Sequence, residues 1–181
     1  VVVSSLVGDR SDVALDALTL GAFDCFLKPV AANSKEAYDV LRSKVHAAAH
    51  SPKLRVSSVE GTGTTPQEFA PGKRMIAIGA STGGVEALLT VLEGFPKNCP
   101  PTMITQHMPK SFTKSFAQRL NARCPAIVRE ASNGVELKTG HVYLAPDGDT
   151  HLELTGRTKP LCRLSEGDLV SGHRPSVDVL F

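Results

Sequence analysis

Short β-branched runs alternating with stretches of helical period constrain this chain more than any other feature. Val1–Ser5 reads as a buried strand, and Asp12–Leu20 as a short amphipathic helix carrying Val13, Leu15, Leu18 and Leu20. Gly21 is placed to stop that helix. Phe23–Leu27 reads as a second buried strand, ended by Lys28-Pro29. Asn33 or Ser34 can then cap a helix running to about Ala49, with Ala37, Val40, Leu41 and Val45 on its apolar face. Two strands, each followed by a helix, call for a parallel sheet with crossovers, an α/β arrangement.

The rhythm stops at 51–74, where Ser, Thr, Gly and Pro with scattered charge replace any apolar period. That composition predicts an interdomain linker, with one unit at 1–50 and another at 75–181. From Met75 the alternation resumes. Met75–Ile78 is the expected strand, Gly79–Gly84 a glycine-rich turn, and Val85–Leu92 a helix closed by Gly94 and Pro96. Thr102–Gln106 is the next strand, ended by His107-Met108-Pro109. Ser111–Arg123 carries Phe112, Phe116, Ala117 and Leu120 at helical spacing. Shorter strands are expected at Ala126–Arg129, His141–Leu144 and His151–Leu154, with turns at Asn133-Gly134 and Asp147-Gly148. The chain begins inside one apolar run and ends after another, Val177–Leu180, that no cap closes. It reads as an internal piece of a longer protein.

Composition narrows the function classes. With 181 residues, 41% hydrophobic and 21% charged, the chain is apolar enough to bury cores. Its formal net charge is +2, and residues 1–74 and 75–181 each carry +1. Neither a nucleic-acid-binding arm nor a membrane-surface patch is expected from that balance. No apolar run approaches the roughly 18 residues of a membrane span, and no signal-peptide pattern opens the chain, so a cytoplasmic location without membrane insertion is expected. Cys25, Cys99, Cys124 and Cys162 are scattered, with no CxxC and no Cys/His pair at metal-ligand spacing. No metal centre is expected from them.

The strongest local signal is Gly79-Ala80-Ser81-Thr82-Gly83-Gly84, a G-x-S-x-G pattern directly after a buried strand and directly before a helix. Glycines relieve the crowding of a sharp turn that pushes the serine hydroxyl out of the sheet edge. Backbone N–H groups of the helix start then point into the same space. A phosphate- or dinucleotide-binding turn uses the same helix N-terminus and remains an alternative, as does a plain structural turn. The dinucleotide pattern calls for G-x-G-x-x-G and an acidic residue ending the next strand, whereas here that strand ends in His107. The carboxyl ends of adjacent parallel strands line one crevice, so Ser81 and His107 can come within hydrogen-bond reach. That is the minimal pair of nucleophile and base. His46 and His50 are expected in solvent, and His141, His151 and His173 have no identifiable serine partner. Asp147, Asp149, Asp168 and Asp178 are available as an orienting acid, but spacing marks none of them.

Four segments in a fixed order then resemble the chemotaxis response-regulator methylesterases, the CheB family of protein-glutamate methylesterase/glutamine deamidases. They are Ile78–Gly84, Ile104–Thr113 (Ile-Thr-Gln-His-Met-Pro-Lys-Ser-Phe-Thr), Val142–Pro146 (Val-Tyr-Leu-Ala-Pro), and His173–Phe181 (His-Arg-Pro-Ser-Val-Asp-Val-Leu-Phe). Val1–His50 is similar to the second half of a phosphoacceptor receiver domain, with Gly21-Ala22-Phe23-Asp24 leading to Lys28-Pro29. The resemblance implies the C-terminal half of a flavodoxin-like receiver, then most of a doubly wound parallel-sheet serine-hydrolase domain. It puts the nucleophile at Ser81, the general base at His107, and oxyanion donors near Thr82 and Gly83. It places Lys28 and the hydroxyl of Ser4 in the receiver's phosphorylation switch. The family's catalytic Asp lies in a Gly-Met-Gly-x-Asp-Gly type segment downstream of these residues, and the phosphoacceptor Asp lies upstream of Val1.

What the family resemblance implies for function is hydrolysis of glutamate methyl esters, and deamidation of glutamine, on the cytoplasmic helices of methyl-accepting chemotaxis receptors. A chemotaxis histidine kinase would be the second partner. Hydrolysis would need no cofactor; Mg²⁺ is implied only for phosphorylating a complete receiver. Two other readings are a binding-only fragment without turnover and a general serine esterase or amidase. A small chromogenic ester hydrolysed far better than receptor peptide would favour the latter.

Overall fold

The computed structural model describes residues 1–5, 11–29, 35–51, 70, 72–108, 112–146 and 148–181. Most of the expected linker at 51–74, the capping residues Asn33 and Ser34, and Pro109, Lys110, Ser111 and Asp147 lie outside the described residues.

The first residues form β1 (Val2–Ser4), α1 (Ser11–Thr19), β2 (Cys25–Leu27) and α2 (Lys35–His50). β1 and β2 pair in parallel, from Val2 opposite Cys25 to Ser4 opposite Leu27. α1 turns Ala14, Leu15 and Leu18 inward, whereas Val13 and Leu20, read with the apolar positions, are exposed: neighbours one residue apart on a helix face different sides. It ends where Gly21 takes a left-handed conformation, φ 95°. The Gly21 N–H then donates to the Leu18 carbonyl and the Ala22 N–H to the Ala17 carbonyl, closing a Schellman motif. α2 departs from expectation. Val40 and Val45, read as core positions, are 49% and 51% exposed. Among the described residues this sheet has the two strands β1 and β2.

From residue 76 on come β3 (Ile76–Ala80), α3 (Gly84–Glu93), β4 (Thr102–Gln106), α4 (Phe112–Arg123), β5 (Ile127–Glu130) and β6 (His141–Leu144). They build a parallel sheet in the order β3-β4-β6-β5. Then β7 (His151–Thr155) and β8 (Leu161–Ser165) form an antiparallel hairpin, followed by one turn of helix, α5 (Val177–Leu180). β8 was not expected from the sequence: Leu-Cys-Arg-Leu-Ser is short and only half alternating. α5 starts from an N-cap, where the Ser176 hydroxyl accepts from the Asp178 N–H.

β4 shows why its residues read as one continuous apolar run: all five are buried. Ile104, with Val142 and Leu144 of β6, faces the layer of α1, α3 and α4, where Leu15, Leu88, Leu92, Phe116 and Leu120 pack. Met103 and Tyr143 face the opposite way, onto Leu152, Cys162 and Leu180 from the hairpin and α5. α1 therefore shares a core with α3 and α4. At its rim the Arg119 guanidinium meets the Asp16 carboxylate at 2.6 Å and the Thr19 hydroxyl at 3.2 Å.

Candidate active site

Parallel pairing brings the two sequence signals together. Ala80 lies opposite Gln106, so the chain leaves the sheet side by side at Ser81 and His107. The His107 N–H donates to the Ala80 carbonyl at 3.0 Å. The buried Gln106 side chain ties the turns: its Nε2 donates to the Ser81 carbonyl at 2.9 Å and to the His107 carbonyl at 2.8 Å. Gly84 makes room for that amide, since a Cβ there would run into the Gln106 Oε1. Gly83 adopts φ 77° as the chain enters α3, a left-handed conformation that glycine takes without steric cost. The Gly84 N–H closes the turn onto the Ser81 carbonyl at 2.8 Å.

Ser81, Thr82, Gly83 and His107 line one cavity of about 740 Å³. Its opposite wall comes from the first fifty residues, including Phe23, Phe26 and an ion pair between Lys44 and Asp24. Ser81 and Thr82 are exposed to it. Both ring nitrogens of His107 are buried without a hydrogen-bond partner among the described residues. The hydrogen bond to the serine expected from the strand order is thus not formed, although both groups face the same space. Strand register sets the backbone positions, and side-chain rotation decides the last contact; catalytic hydrogen bonds are often open without substrate. Burial holds the His107 imidazole below the ordinary histidine range, the His173 ring adds to that depression, and Asp178 opposes it. An imidazole kept neutral has a free lone pair, which is what a proton acceptor needs.

His173, passed over in the sequence, lies face to face with His107, ring centroids 3.8 Å apart and planes 16° from parallel. Gln106 was missed as well. A glutamine directly before a strand-end histidine gives no local signal of bridging two turns. His151 is structural: it is buried, its Nδ1 accepts from the Ser176 N–H at 3.1 Å, and its Nε2 donates to the Asp168 carbonyl at 2.9 Å. Asp149 sits 4.0 Å from Arg174, and Asp178 accepts from the Ser171 hydroxyl. Ser4 and Lys28 meet at the ends of β1 and β2, where the Lys28 N–H donates to the Ser4 carbonyl at 2.8 Å. Among the described residues no group of three His, Cys, Asp or Glu could hold a metal ion. The described residues supply no donor set for the Mg²⁺ implied for a complete receiver. No helix among the described residues is long and apolar enough to cross a membrane.

Comparison with known proteins gives the class first. The fold superposes on the crystal structure of the Thermotoga maritima CheB methylesterase catalytic domain with a TM-score of 0.57 and 40% identity, over 60% of this chain and 58% of that one. Residues 76–181 match the family model described as CheB methylesterase, and the chain belongs to that family. Two curated relatives are named protein-glutamate methylesterase/protein-glutamine glutaminase. The Agrobacterium fabrum protein is 51% identical over 187 residues, and a Caulobacter vibrioides protein, numbered 1, is 49% identical over 185. Each alignment takes in 100% of this chain and 53% or 54% of the relative. The chain thus spans about half the length of the curated relatives it matches.

Proposed function

We propose that this chain carries the nucleophile and base of a protein-glutamate methylesterase that also deamidates glutamine, acting on methylated chemotaxis receptors. The observation that carries the reading is the shared cavity of Ser81 and His107, the first on a glycine turn and the second with both ring nitrogens desolvated. The Ser81 hydroxyl attacks the γ-carbonyl of a methylated glutamate while its proton passes to His107. N–H groups near Thr82 and Gly83, at the α3 N-terminus, receive the oxyanion. His107 returns the proton to the departing methoxide, releasing methanol and leaving an acyl-serine. Water, deprotonated by His107, then cleaves that ester to glutamate and restores the serine. With a glutamine side chain the leaving group is ammonia.

No carboxylate bonds to His107 among the described residues. The family pattern implies an orienting acid in a segment downstream of His173–Phe181. The same family pattern implies a receiver switch in residues 1–50 that includes Ser4 and Lys28, phosphorylated by a chemotaxis histidine kinase in a cytoplasmic protein. The cavity between that segment and the Ser81 turn is where such a switch would act on the site. The test is methanol release from methylated receptor by the full-length protein. Ser81→Ala is expected to lower it at least about 10³-fold; release unchanged by that substitution would overturn the reading.

A further inference from the structure

We propose that His173 is a positioning residue for His107, its ring stacked face to face on the buried base. This rests on the reading of His107 as general base. The two rings are parallel and 3.8 Å apart. At that spacing a charge on one ring disfavours a charge on the other, which adds to the depression of His107. The rings differ in solvation: His173 is exposed, whereas both nitrogens of His107 are shut from solvent. Desolvation leaves the inner ring its lone pair for the serine proton. Stacking also restricts rotation of the His107 ring.

His173 is held for this task. It closes a tight turn in which the Val170 N–H donates to the His173 carbonyl and the His173 N–H to the Val170 carbonyl, at 3.1 and 3.0 Å. The two residues between, Ser171 and Gly172, both have positive φ, 51° and 77°, as in the primed turns of hairpins. On the far side Arg174 donates from Nε to the Gly148 carbonyl at 3.0 Å and from Nη1 to the Gly167 carbonyl. Gly79 completes the arrangement: a Cβ there would collide with Val177, so its absence lets α5 and the preceding segment lie against the end of β3. Other charged groups around the pair are Asp178 of α5, Glu86 of α3, and Asp24, Lys44 and Asp39 across the cavity. Lys44 and Asp24 neutralise each other as an ion pair. Asp178 draws a proton toward His107, so its effect is opposite to that of His173.

The experiment is a pH titration of the His107 ring by nitrogen-15 NMR in the full-length protein, for the parent, His173→Phe and His173→Ala. Methanol release is followed over about pH 5 to 9 in parallel. Phenylalanine keeps the stacked face and removes the charge. In His173→Phe the His107 midpoint is expected to rise by about half a unit or more, with the acid limb of kcat/KM following it and a smaller loss of plateau than in His173→Ala. In His173→Ala the plateau is expected to fall about tenfold as well, because the ring loses its face. A His107 midpoint equal in all three proteins would overturn the proposal, as would a plateau that falls equally in both variants. Methanol release independent of Ser81 would instead sink the reading of function, while the His107 midpoint would still decide the coupling.

Discussion

At the scale of single residues, the site depends on groups that do no chemistry themselves. Gln106 bonds the Ser81 and His107 carbonyls from one amide nitrogen, across 25 residues in one case and one in the other. Gln106→Leu keeps the volume and removes both bonds. It is expected to cost about 1–3 kcal/mol in denaturant unfolding, because two carbonyls are left without that donor. A larger relative loss in kcat than in KM would identify misplacement of the pair rather than weaker binding. His107 also links stability to pH. Its imidazole is held below the ordinary value of 6.5, so between the two values the unfolded chain binds the proton and the folded chain does not. Stability from this group is therefore present above about pH 6.5 and is lost as pH falls toward the folded value. Replacing His107 with Gln should flatten the acid side of a melting-temperature profile, and an unchanged acid slope would count against the assignment.

Between elements, the close contacts fall where side chains are smallest. α5 lies on the end of β3 because Gly79 has no Cβ for Val177 and Phe181 to meet. Gly79→Val is expected to push α5 off the strand, lowering the melting temperature and disturbing the His173 turn without touching Ser81. A crystal structure of the variant, or loss of the His107–His173 contact in NMR, reads this directly. His151 joins the 168 loop to the start of α5 through its two ring nitrogens. His151→Phe leaves the Ser176 N–H and the Asp168 carbonyl unpaired, at a cost of about 1–3 kcal/mol. α1 is attached differently. Its ion pair with Arg119 is half in solvent, Asp16 being 59% exposed, whereas Leu15 is fully buried. Arg119→Ala should thus change stability by less than about 1 kcal/mol, and Leu15→Ala by about 2–5 kcal/mol; chemical denaturation separates them.

Across the whole molecule, a parallel sheet buried on both faces holds the site, with helices on one side and the β7–β8 hairpin and α5 on the other. Burial pushes the Cys162 thiol up to about 11, despite the opposing Arg129 charge. Cys162 should resist alkylation near neutral pH in the folded protein and react once denaturant is added; equal reactivity in both states would show the hairpin face to be open. By themselves the residues determined the α/β class, most of the elements, and the two positions at the cavity, Ser81 and His107. Those signals are local. Apolar period, a glycine turn and a proline stop each act within a few residues, and each survives without tertiary context. The register Ala80–Gln106 then follows from parallel pairing. Only the tertiary structure decided that α2 keeps Val40 and Val45 in solvent, that Leu161–Ser165 pairs with β7, and that His173 stacks on a histidine 66 positions earlier. Such contacts depend on loop closure and on what a facing surface offers, quantities that no short window of sequence contains.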